Sequence, residues 1–213
     1  MIVNLDNQEI PDFFKFIGND QFAGHALEAW KEGNDVLVLC LMDNMRCLQF
    51  VRQYFPLLRA RGTYEKCLLH AYSGTRTNYA GLPTYELPFL FGLADRGKLL
   101  AAGDPLPDGE EFTLYRGVSG NGRARRVRGI SWTSDPACAA WFAKRYTWLN
   151  DPAVFTVTVE RDRVFAFINH RNENEFLVDL EPDAKVRRLR KLPDHQPFMD
   201  MIKKNWEAAT SLT

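Results

Sequence analysis

The chain carries two acidic side chains two positions apart, directly before an apolar run. Glu173 and Glu175 lie in the string RNENEFLV that spans residues 171–178. On a β-strand alternate residues share a face, so both carboxylates would point the same way as Leu177. Like charges this close are unfavourable unless a ligand or a cation uses them. The alternative is one solvated and one half-exposed carboxylate at a strand edge.

A single arginine stands out earlier, in the string LYRG at residues 114–117. Arg116 lies in a segment with strand alternation and is followed by Gly117. A guanidinium group donates two parallel hydrogen bonds, which suits a phosphate or a carboxylate. The alternative is a surface charge before a bend.

Hydroxyl groups cluster in the string ISWTSD at residues 130–135, which by itself reads as a strand end and a helix cap. Two strand registers are possible. In one, Ser131 and Thr133 face the site, and Ser134 with Asp135 caps the following helix. In the other, Trp132 and Ser134 face it, and the indole could stack on a ligand. The first register is preferred because it keeps the hydroxyl groups at the site.

The elements that must position these residues change in character along the chain. Residues 1–100 show apolar steps of three and four, which are typical of helices, and after Pro105 and Pro107 the period becomes two. Helices first and strands afterwards predict an α+β fold. We expect a helical N-terminal region at 1–105 and a β core with a C-terminal helix at 106–213, together forming one compact unit. The predicted helices are 20–31, 36–54, 64–72, 85–102, 137–145 and 197–209, and the predicted strands are 112–118, 130–133, 154–159, 164–168, 175–180 and 185–192.

The composition and charge of the chain exclude several classes of protein. The 213 residues are 46% hydrophobic and 25% charged, which excludes disordered, collagen-like and coiled-coil chains. The formal charge is 27 − 27 = 0, which argues against a generic nucleic-acid coat. The four cysteines form no C-x-x-C pair, so no metal site is expected. The first residues do not resemble a signal peptide, and the longest apolar run, 36–42, is too short to span a bilayer. A cytoplasmic protein without membrane contact is expected.

The ordered set of arginine, serine and Glu-x-Glu on successive strands resembles the Arg-Ser-Glu class of ADP-ribosyltransferases, which includes cholera-type and clostridial toxins. The resemblance covers about residues 110–192 and includes the string AAWFA at 139–143, which follows the second motif. The usual Ser-Thr-Ser of that class is here Ser-Trp-Thr-Ser at 131–134. The implied fold is a split antiparallel β-sandwich of the ADP-ribosyltransferase type, with the helical region packed on it.

The resemblance also implies roles for the site residues. Glu175 would grip the 2′-hydroxyl of the nicotinamide ribose of NAD and stabilise positive charge on that sugar. Glu173 would orient or deprotonate the attacking nucleophile. Arg116 would bind the pyrophosphate, with Gly117 beside it. Ser131 and Thr133 would hold the ribose and support Glu175 by a hydrogen bond. Trp132 would contribute to NAD binding in the alternative register.

The expected function is therefore an NAD-dependent mono-ADP-ribosyltransferase with NAD as co-substrate and no metal. The acceptor would be a macromolecule, either a protein side chain, with arginine favoured, or a nucleic acid. The residues before the acids, 169–172, are where acceptor choice would lie. Such a protein would be a bacterial or phage toxin, defence factor or host-takeover factor, with an antitoxin or inhibitor protein as a possible partner. The alternatives are an NAD glycohydrolase and a non-catalytic binding module that kept the fold.

Two basic strings flank the proposed core, at residues 123–128 and 185–191. Solvated surface is the simpler interpretation. Their local excess of charge could also steer a dinucleotide or admit a nucleic-acid acceptor.

Overall fold

A computed structural model describes residues 10–74 and 86–210. The chain divides into two units, Met1–Ala102 and Gly103–Thr213. This boundary lies between residues 102 and 103, and the sequence places it between 105 and 106. The first unit is helical in its described part, and the second holds the six strands of the sheet. The mixed α+β class is confirmed.

Two helices of the first unit begin at asparagine side chains that cap them. Asn19 and Asn34 each accept a hydrogen bond from a backbone N–H three residues later, at 3.2 Å. Inside the unit, buried Asp35 pairs with the Arg61 guanidinium at 2.7 Å, and that guanidinium lies 3.9 Å from the Trp30 ring centre. The helices are α1 Phe13–Ile17, α2 Asp20–Lys31, α3 Asp35–Cys40, α4 Asn44–Ala60, α5 Tyr64–Gly74, α6 Glu86–Gly92 and α7 Arg96–Ala102.

The prediction of one helix over 36–54 is wrong. Asp43 accepts a hydrogen bond from Met45 N at 2.7 Å and begins a new helix, which separates α3 from α4. The predicted end at residue 54 is also wrong, because α4 continues past Pro56 to Ala60. Proline cannot donate to the helix and its ring crowds the preceding turn. The backbone accommodates it by leaving helical geometry at Tyr54, with φ −108° and ψ 18°.

The predicted helix over 85–102 is two helices, α6 and α7. Between them Asp95 accepts a hydrogen bond from Lys98 N at 2.9 Å, which starts α7. The start of that prediction, residue 85, lies outside the described residues.

The second unit is built on one antiparallel sheet with strand order β4-β5-β2-β1-β3-β6. The longest pairing joins β1 to β3 over eight residue pairs. The prediction of a longer last strand over 185–192 is wrong, since only two residues of it pair. The strands are β1 Glu111–Val118, β2 Ser131–Thr133, β3 Ala153–Glu160, β4 Val164–Ile168, β5 Glu175–Val178 and β6 Arg187–Arg188. The helices are α8 Pro136–Lys144 and α9 Gln196–Thr210.

A two-layer sandwich was expected, whereas the described strands form one sheet. The two halves of that sheet, β4-β5-β2 and β1-β3-β6, meet at a single register pair, Tyr115 with Thr133. All three residues of β2 pair with β5, whereas only Thr133 pairs with β1.

Helix α8 packs against the sheet through small side chains. Asp135 caps it, as predicted, by accepting a hydrogen bond from Ala137 N at 2.8 Å. Pro136 is its first residue, a position that suits proline because the backbone N–H it lacks would have no partner there. Strand β1 approaches α8 so closely that a Cβ at Gly117 would lie 1.7 Å from the Ala139 carbonyl oxygen. Only glycine fits there without moving the helix.

Large aromatic side chains form much of the core of the second unit. Phe176 lies 4.9 Å from Phe112 and 4.8 Å from Phe167, measured between ring centres. Trp132 is 1% exposed.

No helix in the described ranges is both long enough and apolar enough to span a bilayer.

Candidate functional site

Glu175 is the acidic residue that the fold buries most deeply at the predicted site. It begins β5, which pairs with β2 on one side and β4 on the other, and all four residues of β5 are buried. Glu175 is 7% exposed. A carboxylate in such a position is rare unless specific groups hold it.

Ser131 holds this carboxylate. Its Oγ donates a 2.5 Å hydrogen bond to Glu175 Oε1, as the sequence analysis expected. The register explains the contact, because Thr133 is paired with Glu175 and Ser131 with Leu177. Paired residues in an antiparallel sheet share a face, and Ser131 therefore lies diagonally across from Glu175 on that face.

The alternative register, in which Trp132 enters the site, is wrong. Trp132 pairs with Phe176 on the opposite face of the sheet, where it is almost completely buried. Its indole N–H donates to the Gly129 carbonyl oxygen at 2.8 Å. Trp132 is therefore a core residue, and its assignment to NAD binding is corrected.

Thr133 is on the site face but its hydroxyl is engaged with backbone. It donates to the Glu173 carbonyl oxygen at 2.6 Å and accepts from Asp135 N at 3.0 Å. A third link, from Ser134 N to the Asn174 carbonyl oxygen, measures 3.2 Å. Thr133 thus positions the segment that carries Glu173, where the sequence analysis expected it to hold a ribose.

Glu173 lies outside the strand, so strand alternation does not determine its position. β5 starts only at Glu175, and Asn174 has a left-handed backbone with φ 45°. The expected strand geometry for Glu173 is therefore wrong. The two carboxyl groups still lie near each other, because the same arginine contacts both.

That arginine is Arg171, whose Nη2 lies 3.2 Å from Glu173 Oε2 and 3.6 Å from Glu175 Oε2. Residue 171 was expected in the acceptor-selecting segment 169–172, but these ion pairs were not predicted. The sequence does contain a pattern that could have indicated these ion pairs, because Arg171 precedes the two acids by two and four positions in a string with two asparagines. Asn172 and Asn174 both adopt positive φ, which asparagine tolerates, and they turn the loop back on itself.

Burial raises the pKa of the Glu173 carboxyl above its ordinary value, and the charge of Glu175 acts in the same direction. Arg171 and Arg145 oppose that shift. Arg145 is a second cation that sequence analysis missed. Its guanidinium lies 4.6 Å from the ring centre of Tyr146 and 5.2 Å from that of Phe142. A carboxyl with a raised pKa is suited to accept a proton near neutral pH.

Arg116 has a different setting from the expected phosphate site. Its Nε donates to the Arg126 carbonyl oxygen at 3.1 Å, and its Nη1 donates to the Ser131 carbonyl oxygen at 2.5 Å. A Cβ at Gly129 would lie 2.6 Å from Nη2, so glycine there leaves room for the guanidinium. These contacts tie the loop before β2 to Ser131. Arg116 is a positioning residue for Ser131 in this structure, and its expected use as a pyrophosphate fork is a prediction that these contacts do not favour.

Gly117 is explained by packing, because the backbone of α8 passes directly over it. In residues 10–74 and 86–210, no three or more His, Cys, Asp or Glu side chains gather in a way that would hold a metal ion.

The two basic strings meet around one carboxylate. Arg125 Nη1 and Arg188 Nη2 contact the two oxygens of Asp151 at 2.5 and 2.6 Å. Arg128 donates to the carbonyl oxygens of Pro182 and Ala184 at 2.9 and 3.3 Å. We call the resulting set the basic surface, which comprises Arg125, Arg126, Arg128, Lys185, Arg187, Arg188, Arg190 and Lys191.

Comparison with known proteins gives no family assignment, since no family model, no curated protein and no solved structure matches the chain.

Proposed function

We propose that this protein is an NAD-dependent mono-ADP-ribosyltransferase that cleaves the bond between nicotinamide and ribose and transfers ADP-ribose to a macromolecule. The observation that carries the proposal is the buried Glu175 carboxylate, held by Ser131 Oγ at 2.5 Å beside a second carboxyl group. The Arg-Ser-Glu resemblance adds to it, as does an antiparallel sheet whose halves join at one residue pair.

Glu175 is suited to stabilise a cationic sugar. When the bond to nicotinamide breaks, positive charge grows at C1′ of the ribose, as in glycoside hydrolysis. A buried, fixed carboxylate stabilises that charge without reorganising during the reaction. Ser131 occupies Oε1 and so orients the other oxygen, Oε2, which would accept the 2′-hydroxyl of the ribose.

Glu173 is suited to handle the acceptor. Its pKa is raised, chiefly by burial, so the carboxylate is a better base than an exposed glutamate. The electron pair of the broken bond leaves with nicotinamide, the acceptor atom bonds to C1′, and the proton of the acceptor passes to Glu173. Thr133 fixes the backbone of Glu173, and Arg116 fixes that of Ser131.

Transfer and hydrolysis both depend on Glu175 and differ in the group that attacks C1′. The NAD glycohydrolase alternative is therefore decided by the product. The biological setting we propose is that of a bacterial or phage toxin, defence or host-takeover factor acting in the cytoplasm.

The test is incubation of the protein with labelled NAD, with and without cell lysate, for the wild type and Glu175→Gln. The variant should lose at least about a hundredfold in NAD turnover, because removing one transition-state electrostatic contact costs roughly 3–4 kcal/mol. Glu65→Gln is the matched control, since Glu65 is a similarly buried glutamate, 5% exposed, in the helical unit.

Label on macromolecules supports the proposal, and free ADP-ribose alone supports the glycohydrolase. A wild-type protein that consumes no NAD, or a Glu175→Gln variant that keeps most activity, would contradict the catalytic assignment. Circular dichroism of each variant reports whether the fold is intact.

A further inference from the structure

One guanidinium group of this chain already lies against both acids of the candidate site. Arg171 Nη2 is 3.2 Å from Glu173 Oε2 and 3.6 Å from Glu175 Oε2. The Arg171 side chain is 45% exposed, whereas those of Glu173 and Glu175 are 17% and 9% exposed. An outward-reaching cation therefore covers two carboxylates that are largely enclosed.

The loop that carries Arg171 is fixed by hydrogen bonds on both sides. Asn172 N donates to the Asn169 carbonyl oxygen at 2.8 Å, and Asn174 N donates to Asn169 Oδ1 at 3.1 Å. Asn169 N in turn donates to Asp104 Oδ2 at 2.5 Å. Because the loop is held at its base, Arg171 remains near the acids and its effective concentration there is high.

We propose that Arg171 is itself an acceptor, modified with ADP-ribose by the same chain that carries it. This inference rests on the proposed function and assigns a modification site to it. The guanidinium is placed where an arginine of a target protein would have to be, within reach of the base and of the carboxylate that stabilises C1′.

The transfer replaces one bond at C1′ of the ribose with another. Arg171 Nη2 forms a bond to C1′ of the ribose, and the bond from C1′ to the nicotinamide nitrogen breaks with its electron pair on nicotinamide. The proton lost from Nη2 passes to Glu173, the nearer of the two carboxylates. No oxidant, reductant or metal takes part.

The modification limits its own reaction. Each chain has one Arg171, so labelling stops at one ADP-ribosyl group per chain. The attached group then lies over Glu173 and Glu175 and obstructs further NAD cleavage. An arginine from a target protein must displace Arg171 to be modified first, so target and self compete for the same acids.

The experiment incubates the full-length chain with NAD in the absence of lysate, then measures intact mass and maps the modified residue in a digest. Arg163 is the internal control, because it is 40% exposed and also pairs with two carboxylates, Asp179 and Glu181. We expect the mass of one ADP-ribosyl group on Arg171 and none on Arg163. Arg171→Lys, which keeps the positive charge, should lose at least about tenfold of the incorporated label.

A second arm mixes the active protein with the inactive Glu175→Gln chain. Modification in cis predicts that Glu175→Gln stays unlabelled and that the rate per chain is independent of protein concentration. Label on the inactive chain, equal label on Arg163, or unchanged label in Arg171→Lys would each overturn the inference. If label reaches macromolecules in lysate while Arg171 stays unmodified, the inference fails and the proposed function stands, whereas absence of any NAD consumption contradicts the proposed function itself.

Discussion

Glu173 and Glu175 differ in how the protein holds them, and that difference divides the proposed chemistry. Glu175 is fixed at one oxygen by Ser131, within a strand that is buried along its whole length. Glu173 precedes the strand, is held through its backbone by Thr133, and has a raised pKa. A fixed charge suits stabilisation of a cation, and a base with a raised pKa suits proton transfer.

We predict that Glu173→Gln suppresses transfer by roughly a hundredfold or more while hydrolysis to free ADP-ribose persists, since water can attack without a positioned base. In the wild type, transfer should fall as the pH drops through the raised pKa of Glu173, at a higher pH than for an ordinary glutamate. Product analysis of both reactions over a pH series measures this. Equal loss of both reactions would show that the two acids act as one NAD-facing unit.

The pH dependence of the free energy of unfolding provides a second test of the raised pKa of Glu173. A folded pKa above the unfolded value means that folding favours the protonated form, so that contribution is present at low pH and is lost as the pH rises through the folded pKa. Glu173→Gln should therefore be more stable than the wild type above that pKa, and the difference should vanish below about pH 4, where the unfolded carboxyl is also protonated. Urea unfolding across this range distinguishes the loss of a base from damage to the fold.

At the residue level the Ser131–Glu175 contact was expected from the Arg-Ser-Glu resemblance, and strand alternation contributed only the register that puts Ser131 and Thr133 on one face. It did not predict the setting of Arg116, since nothing in LYRG shows that two carbonyl oxygens would be within reach. Arg171 was missed as an ion-pair partner because its position depends on two asparagines in left-handed geometry.

Among the elements, the contact between β1 and α8 constrains the site most directly, because β1 carries Arg116 and α8 follows directly on β2. Gly117 makes that contact possible. We predict that Gly117→Ala destabilises the fold by about 1–3 kcal/mol or more, since the added methyl group overlaps the backbone of α8 and the helix must move.

Gly24→Ala is the control for that substitution. Gly24 lies inside α2, and a Cβ added there would meet no atom within 4 Å, so alanine should stabilise by about 0.5–1 kcal/mol. Urea unfolding of both variants measures the contrast. A Gly117→Ala protein as stable as the wild type would show that α8 does not depend on this close approach.

Element prediction succeeded where local chemistry alone decides a boundary. Asn19, Asn34 and Asp135 cap helices as their residue types predict. It failed where two local signals competed. The apolar period of residues 36–54 continues through Asp43, which nevertheless starts a new helix, and Pro56 is accommodated by a local departure from helical geometry at Tyr54. Apolar periodicity indicates which face of a helix is buried, but it does not reveal where one helix ends and the next begins.

At the scale of the whole molecule, a formal charge of zero conceals an uneven distribution. The basic surface gathers arginines from two separate strings of the sequence, and within the described ion pairs Asp151 is shared by two of them. Composition could not predict this, because it sums charges without regard to place. NAD carries two phosphates, so a local positive potential should raise its rate of association.

We predict that Arg187→Ser with Arg190→Ser lowers kcat/KM for NAD several-fold at low salt, because both side chains are exposed members of the basic surface. The control is Lys203→Ser with Lys204→Ser, which removes the same two charges from exposed positions on α9. The difference between the two variants should shrink as ionic strength rises from about 0.01 to about 0.15 M, since the Debye length falls from about 30 Å to about 8 Å. Equal loss in both variants would indicate that net charge, and not its placement, governs NAD capture. No loss in either would contradict a role of the basic surface in NAD capture. The label-transfer assay with RNA in place of lysate would then test whether a nucleic acid is the acceptor.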